Sequence, residues 1–171
     1  MKRYQRGFGT GVALFFIAVL TAASAAAWHI ARSAGDVQYF QESKDAILAQ
    51  KDDIVGRLIA CRVMFPNGDN GTGYRIQYPA ATAPTSLSEL HCPGEAASAS
   101  LWSGENRVLQ PGPIPGFTEW HFVNDSVSAR LQIAAVTDTS QLHRDLLVLV
   151  AERIGAQASV NGATLTIAIA S

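Results

Sequence analysis

Between Gly7 and Trp28 the chain carries no charged side chain, and this run constrains the fold more than any other feature. It reads GFGTGVALFFIAVLTAASAAAW and follows a short basic head, Met1-Lys2-Arg3-Tyr4-Gln5-Arg6. About 20 apolar or small residues are enough to cross a hydrocarbon core of roughly 30 Å as a helix. Lys2, Arg3 and Arg6 should hold the head on the cytoplasmic side by the positive-inside bias, leaving everything after Trp28 outside. The run also explains why charged residues make up only 16% of the 171, since the shortfall is local. A net charge of -1 gives no global field toward nucleic acid or anionic lipid.

Three readings of this N-terminus are open. In the first it is a cleaved secretory signal, because Ala23-Ser24-Ala25 and Ala25-Ala26-Ala27 both offer the small-x-small pattern that such cleavage needs. In the second it is an uncleaved anchor. In the third it is a leader cut after Gly7. The segment that follows helps to choose. From Trp28 to Cys61 there is no proline, and the only glycines are Gly35 and Gly56. Val37, Phe40, Ile47, Ile54, Leu58 and Cys61 recur at steps of three, four or seven, which is one helical face. Asp36, Gln41, Lys44, Asp45, Lys51, Asp52, Asp53 and Arg57 fall mostly elsewhere on the helix. The pattern predicts one helix from about Gly9 to about Ala60, apolar all round in its first half and amphipathic in its second.

A basic leader ending in Arg6-Gly7, an aromatic Phe8, the apolar run and the long half-amphipathic helix together resemble the type IV pilin and type II secretion pseudopilin superfamily. The likeness covers roughly residues 1–60. It implies a leader peptide over 1–7, cut by a prepilin peptidase after Gly7, with the new terminal amine of Phe8 methylated. It implies a transmembrane and assembly segment over 8–28, and an extracytoplasmic head over 29–171 that includes the amphipathic half of the helix. Family members usually carry a glutamate at the fifth mature position, which some minor and tip subunits lack, and this chain has Val12 there. An acid buried in lipid is costly unless paired, so Val12 eases insertion and removes a registration contact. That points to a minor or tip-like subunit. Helix packing in such an assembly falls to Gly9, Gly11, Val12, Ala13, Leu14, Phe15, Ile17 and Leu20, with Ala18 and Ala22 among the small residues that allow close approach.

Beyond the helix, Pro66 and the run Asn67 to Gly73 predict a stop and a loop. Tyr74–Tyr78 alternates like a short strand, Pro79–Pro84 reads as a loop, and Ser86–Leu90 as a helical turn. Leu101-Trp102 and Arg107-Val108-Leu109 flank a turn at Ser103–Asn106. Phe117–Val123 and Ser128–Val136 predict an antiparallel hairpin turning at Asn124-Asp125. Asp138 or Ser140 is the expected cap of a helix through Leu142, Leu146, Val150 and Ile154 that stops at Gly155. Leu147, Val148 and Leu149 make that helix apolar on several faces, so it is expected to be well buried. Ala158–Val160 and Ala163–Ile167 predict a second hairpin, with Asn161-Gly162 as its turn. The fold class is α+β: a long N-terminal helix packed on a small antiparallel sheet with a second helix.

Cys61 and Cys92 would pair in an oxidising compartment and stay reduced in the cytosol. His29, His91, His121 and His143 lack any metal-ligand spacing, and His91-Cys92 has no matching second pair. Gly68–Gly73 lacks the Gly-Lys-Ser/Thr ending of a phosphate loop and has Asp69 as its only acid, so it reads as a flexible surface loop. No G-x-S-x-G nominates a nucleophile, and no catalytic residue is assigned. Trp102, Phe117, Trp120 and Phe122 read as core. The expected role is a non-enzymatic filament subunit, without cofactor, metal or nucleic acid. Its partners would be other pilin-like subunits, the peptidase, an inner-membrane assembly platform and the membrane. It would sit as a single-pass protein of the inner membrane with its head in the periplasm, and reach the surface in the filament. The competing expectation is a membrane-anchored or secreted envelope domain that binds a ligand or a protein partner.

Overall fold

A stretch without proline, whose glycines are isolated, can hold an unbroken helical hydrogen-bond ladder. The computed structural model, which describes residues 8–95, 100–102, 109–136 and 141–170, forms such a ladder as helix α1, Phe8–Met64. Arg62 sits in its last turn, where a cation complements the helix dipole. The chain then leaves through Phe65, whose N–H donates to Cys61 O at 2.8 Å, and Pro66 forbids a further turn.

The chain divides into two units, Met1–Gln41 and Glu42–Ser171. The second unit holds the rear of α1 and an antiparallel sheet of five strands: β1 (Ala81–Ser86), β2 (His121–Asn124), β3 (Ala129–Ala134), β4 (Ala158–Asn161) and β5 (Thr164–Ala170). Their order is β1-β2-β3-β5-β4. A second helix, α2 (Gln141–Ile154), crosses from β3 to β4 and packs on β4 and β5. The fold is therefore α+β, as the pattern predicts.

The core follows strand alternation. Leu131 and Ile133 of β3, Phe122 of β2, and Leu165 and Ile167 of β5 are buried. On the helices, Ile47, Ile54, Leu58 and Cys61 of α1 and Leu146, Leu147 and Val150 of α2 are fully buried. Each such side chain contributes about 1.5–3 kcal/mol. The four expected core aromatics, Trp102, Phe117, Trp120 and Phe122, all lie in this interior.

Several expectations are corrected. Tyr74–Tyr78 forms turns, not a strand, because the side chain of Asn124 takes up its backbone groups. The strand lies instead at β1, Ala81–Ser86, which overlaps the expected Pro79–Pro84 loop and runs to Ser86. Proline is tolerated there because β1 is a sheet edge. The bulge does the rest: Ala81 to Thr85 spans four residue steps against two from Asn124 to Phe122, so the segment holding Pro84 is released from the ladder. The β4–β5 turn is shifted by one residue. Asn161 pairs with Thr164, so the central residues are Gly162 and Ala163. Gly162, at φ 60, supplies the positive φ that the first central position requires. α2 buries one face only, since Val148 and Leu149 are nearly half exposed. Gly155 ends it as expected, at φ 86, with its N–H on Ala151 O. The expected caps Asp138 and Ser140 and the expected turn Ser103–Asn106 lie outside the described residues.

Candidate functional site

Helical periodicity alone brings the front of α1 into view. Gly7 lies outside the described residues, and Phe8 is the first residue of the helix. Gly9, Gly11, Val12, Ala13, Leu14, Phe15 and Ile17 all have helical backbone. Leu20 is 65% exposed and Val19 is 48% exposed. Of the hydroxyls in this run, those of Thr21 and Ser24 are satisfied within the helix. Thr21 Oγ1 donates to Ala18 O at 2.9 Å, and Ser24 Oγ donates to Leu20 O at 2.7 Å. Such back-bonding lets a hydroxyl enter an apolar environment without an orphaned donor. Among the described residues, no helix is long and apolar enough to cross a membrane.

The rear of α1 is tied to the head by polar side chains as well as by its apolar stripe. Gln50 is the chief tether. Its Nε2 donates to Gly112 O at 2.9 Å, and its Oε1 accepts the indole N–H of Trp120 at 2.9 Å. The guanidinium of Arg62 lies 5.9 Å from the Tyr78 ring centre, within cation–π range. Cys61, on the same buried face, forms a disulfide with Cys92 across 31 residues. Closing a loop of that size contributes about 3–4 kcal/mol on the chain-entropy account. Two positions depart from the expected stripe, because the compact head begins only at Glu42: Val37 is 63% exposed and Phe40 only half-buried.

The loop after α1 is more constrained than its composition indicates. Asp69 accepts from Gly71 N at 2.9 Å and from Tyr74 Oη at 2.8 Å on both carboxylate oxygens. The bond to Asp69, helped by partial burial and by the carboxylate charge, raises the Tyr74 phenol above its usual value. Asn124 is fully buried. Its Oδ1 accepts from Arg75 N at 3.1 Å, and its Nδ2 donates to Arg75 O at 3.0 Å and to Pro79 O at 2.9 Å. Sequence reasoning placed Asn124 in a turn, and no local signal marks its long-range role. Next to it, Asp125 accepts from Ser128 N and Val127 N and from Arg130. These bonds hold its carboxyl below the usual range.

The outward sheet face carries a shallow depression of about 230 Å³, lined by Pro84, Thr118, His121, Gln132, Ala134 and Thr164 among others. At its rim Ser86 Oγ donates to Glu119 Oε2 at 3.1 Å, and Glu119 Oε1 lies 3.9 Å from His121 Nε2. The carboxylate stands between serine and histidine, so the order of groups needed to activate a serine is absent at this cluster. His143 meets Phe117 edge-on at 5.2 Å, and Cys92 is committed to its disulfide, which leaves His91 without that cysteine as a co-ligand. Among the described residues, no group of three or more His, Cys, Asp or Glu is placed to hold a metal ion. No family model, curated protein or solved structure matches the chain.

Proposed function

We propose that this protein is a membrane-inserted structural subunit of a pilus-like or pseudopilus-like filament, minor or tip-located, acting by assembly and not by catalysis. The observation that carries this reading is the extent of α1. Helical backbone begins in the apolar run and reaches Met64, and its rear buries Ile47, Ile54 and Leu58 and is stapled by Cys61–Cys92. A removable signal has no need to continue as a helix into the domain it delivers, whereas an assembling subunit needs such continuity to join its packing segment to its head. The internally bonded Thr21 and Ser24 support an apolar destination for this segment. The disulfide supports an oxidising compartment for the head.

In this reading the leader is cut after Gly7 and Phe8 becomes the methylated terminus. The front helix leaves the bilayer to pack among sister helices, driven by close van der Waals contact through Gly9, Gly11, Ala13 and Ala18. The prepilin peptidase and the assembly platform are partners of this reading. Val12 places the subunit outside the main shaft, for want of an acid to pair with a neighbour's amine.

Mass spectrometry of the mature N-terminus tests it. Methylated Phe8 is the expected result. A start near Ala26 or Trp28 would instead establish a secretory signal, and an intact Met1 a simple anchor. Either of those outcomes ends the filament reading.

A further inference from the structure

The chain contains three Asn-Gly pairs: Asn67-Gly68, Asn70-Gly71 and Asn161-Gly162. This dipeptide holds both reactants of a slow self-modification. The glycine backbone nitrogen attacks Cγ of the asparagine side chain and loses its proton, the C–N bond to the amide breaks, and ammonia leaves. The resulting five-membered succinimide is opened by water at either carbonyl, giving aspartate or isoaspartate. Water is the only co-reactant. What a fold decides is whether the glycine nitrogen is free to turn toward Cγ.

At two of the pairs it is held. Gly68 N donates to Phe65 O at 2.9 Å, and the residue is wedged so closely that an added Cβ would lie 2.0 Å from Ile76 O. Gly71 N donates to the Asp69 carboxylate at 2.9 Å, and an added Cβ would lie 1.8 Å from Tyr74 Oη. The third pair differs in each respect. Asn161 and Gly162 are exposed, and an added Cβ at Gly162 would meet nothing within 4 Å. Among the described residues Gly162 N makes no hydrogen bond. The pair lies where edge strand β4 turns into β5, and edges and loop tips open at the smallest free-energy cost.

We propose that Asn161 is a site of spontaneous deamidation in the folded protein, and that Asn67 and Asn70 are protected by the hydrogen bonds on their following glycines. The product places a new carboxylate at the β4–β5 turn. In its isoaspartyl form it also inserts a methylene into the backbone, at the residue that pairs with Thr164 and sets the hairpin register.

The test is peptide mapping by mass spectrometry of the full chain, incubated folded at mildly alkaline pH and sampled over time. Asn161 is expected to convert about tenfold faster than Asn67 or Asn70, the factor that one ordinary hydrogen bond on the attacking nitrogen supplies. In concentrated urea with reductant the three rates should converge. Asp69→Ala frees Gly71 N and should raise the Asn70 rate about tenfold, whereas Asp69→Asn keeps an acceptor and should leave it slow. If Asn161 converts no faster than the other two in the folded chain, the proposal fails. It fails equally if Asn70 is indifferent to Asp69→Ala while Cys61–Cys92 and the helical signal stay intact.

Discussion

The two halves of α1 share one backbone conformation and differ in what surrounds them. In Glu42–Met64 the apolar side chains lie at helical spacing, and Ile47, Ile54 and Leu58 are completely buried. Ahead of Glu42, Val19, Leu20 and Val37 are 48%, 65% and 63% exposed. An amphipathic stripe is buried within the chain's own compact unit, where Cys61 bonds to Cys92 and Gln50 to Trp120. The front run has no charged side chain from Gly7 to Trp28 and so no such stripe, and its Val19 and Leu20 stay exposed. Periodicity thus separates the part of α1 that folds with the compact unit from the part ahead of it.

The sharpest way to break this contrast is to remove a methyl-rich side chain from each half. Leu58→Ala should cost about 3 kcal/mol, because a fully buried leucine leaves a cavity the head cannot close. Val37→Ala should cost no more than about 0.5 kcal/mol, as expected for an exposed position. Urea unfolding of the full chain in detergent, followed by circular dichroism, measures both. Equal effects would mean that Val37 is packed and that the head begins earlier than Glu42.

A smaller loss is expected from Asn124→Ala, about 2 kcal/mol, since truncation strands the backbone N–H of Arg75 and the carbonyl of Pro79. The same denaturation experiment checks it, and amide exchange should quicken across Arg75–Pro79 while the front of α1 is untouched. A uniform change along α1 would contradict the division of the helix into two environments.

This residue also shows where the sequence stopped being legible. Long elements came through, because periods of 3.6 and 2 survive in a single chain: α1 and α2 lie where the spacing puts them, and both hairpins form, although β2 spans only His121–Asn124 and takes in Asn124, which the sequence placed in the turn. Tyr74–Tyr78 alternates like a strand, yet its backbone bonds to a side chain about 50 residues away, a pairing that no local pattern encodes. β1 was hidden by Pro79 and Pro84, which argue against a strand everywhere except at an edge. The β4–β5 turn was missed by one residue because Asn-Gly and Gly-Ala both satisfy a two-residue hairpin, and only the pairing of Asn161 with Thr164 decides. For the candidate site, the apolar run and the stripe behind it were plain. The exposure of Val37 was not, because periodicity reports a face and not the length of the surface that meets it.

The smallest effects come from the two glycines within α1, and they probe the contrast most finely. Gly35 precedes the head and Gly56 lies inside it. At neither would an added Cβ meet another atom within 4 Å, so alanine fits at both. In a helix interior that change relieves backbone entropy and is worth up to about 1 kcal/mol. Gly56→Ala should therefore raise the unfolding free energy of the head by up to about that amount. Gly35→Ala should leave the head unchanged and appear only as slower amide exchange in the turns around residue 35. If Gly35→Ala instead stabilises the head as much as Gly56→Ala does, α1 unfolds as one cooperative element. Its front half would then share in the stability of the head, and the two environments would not be energetically separate.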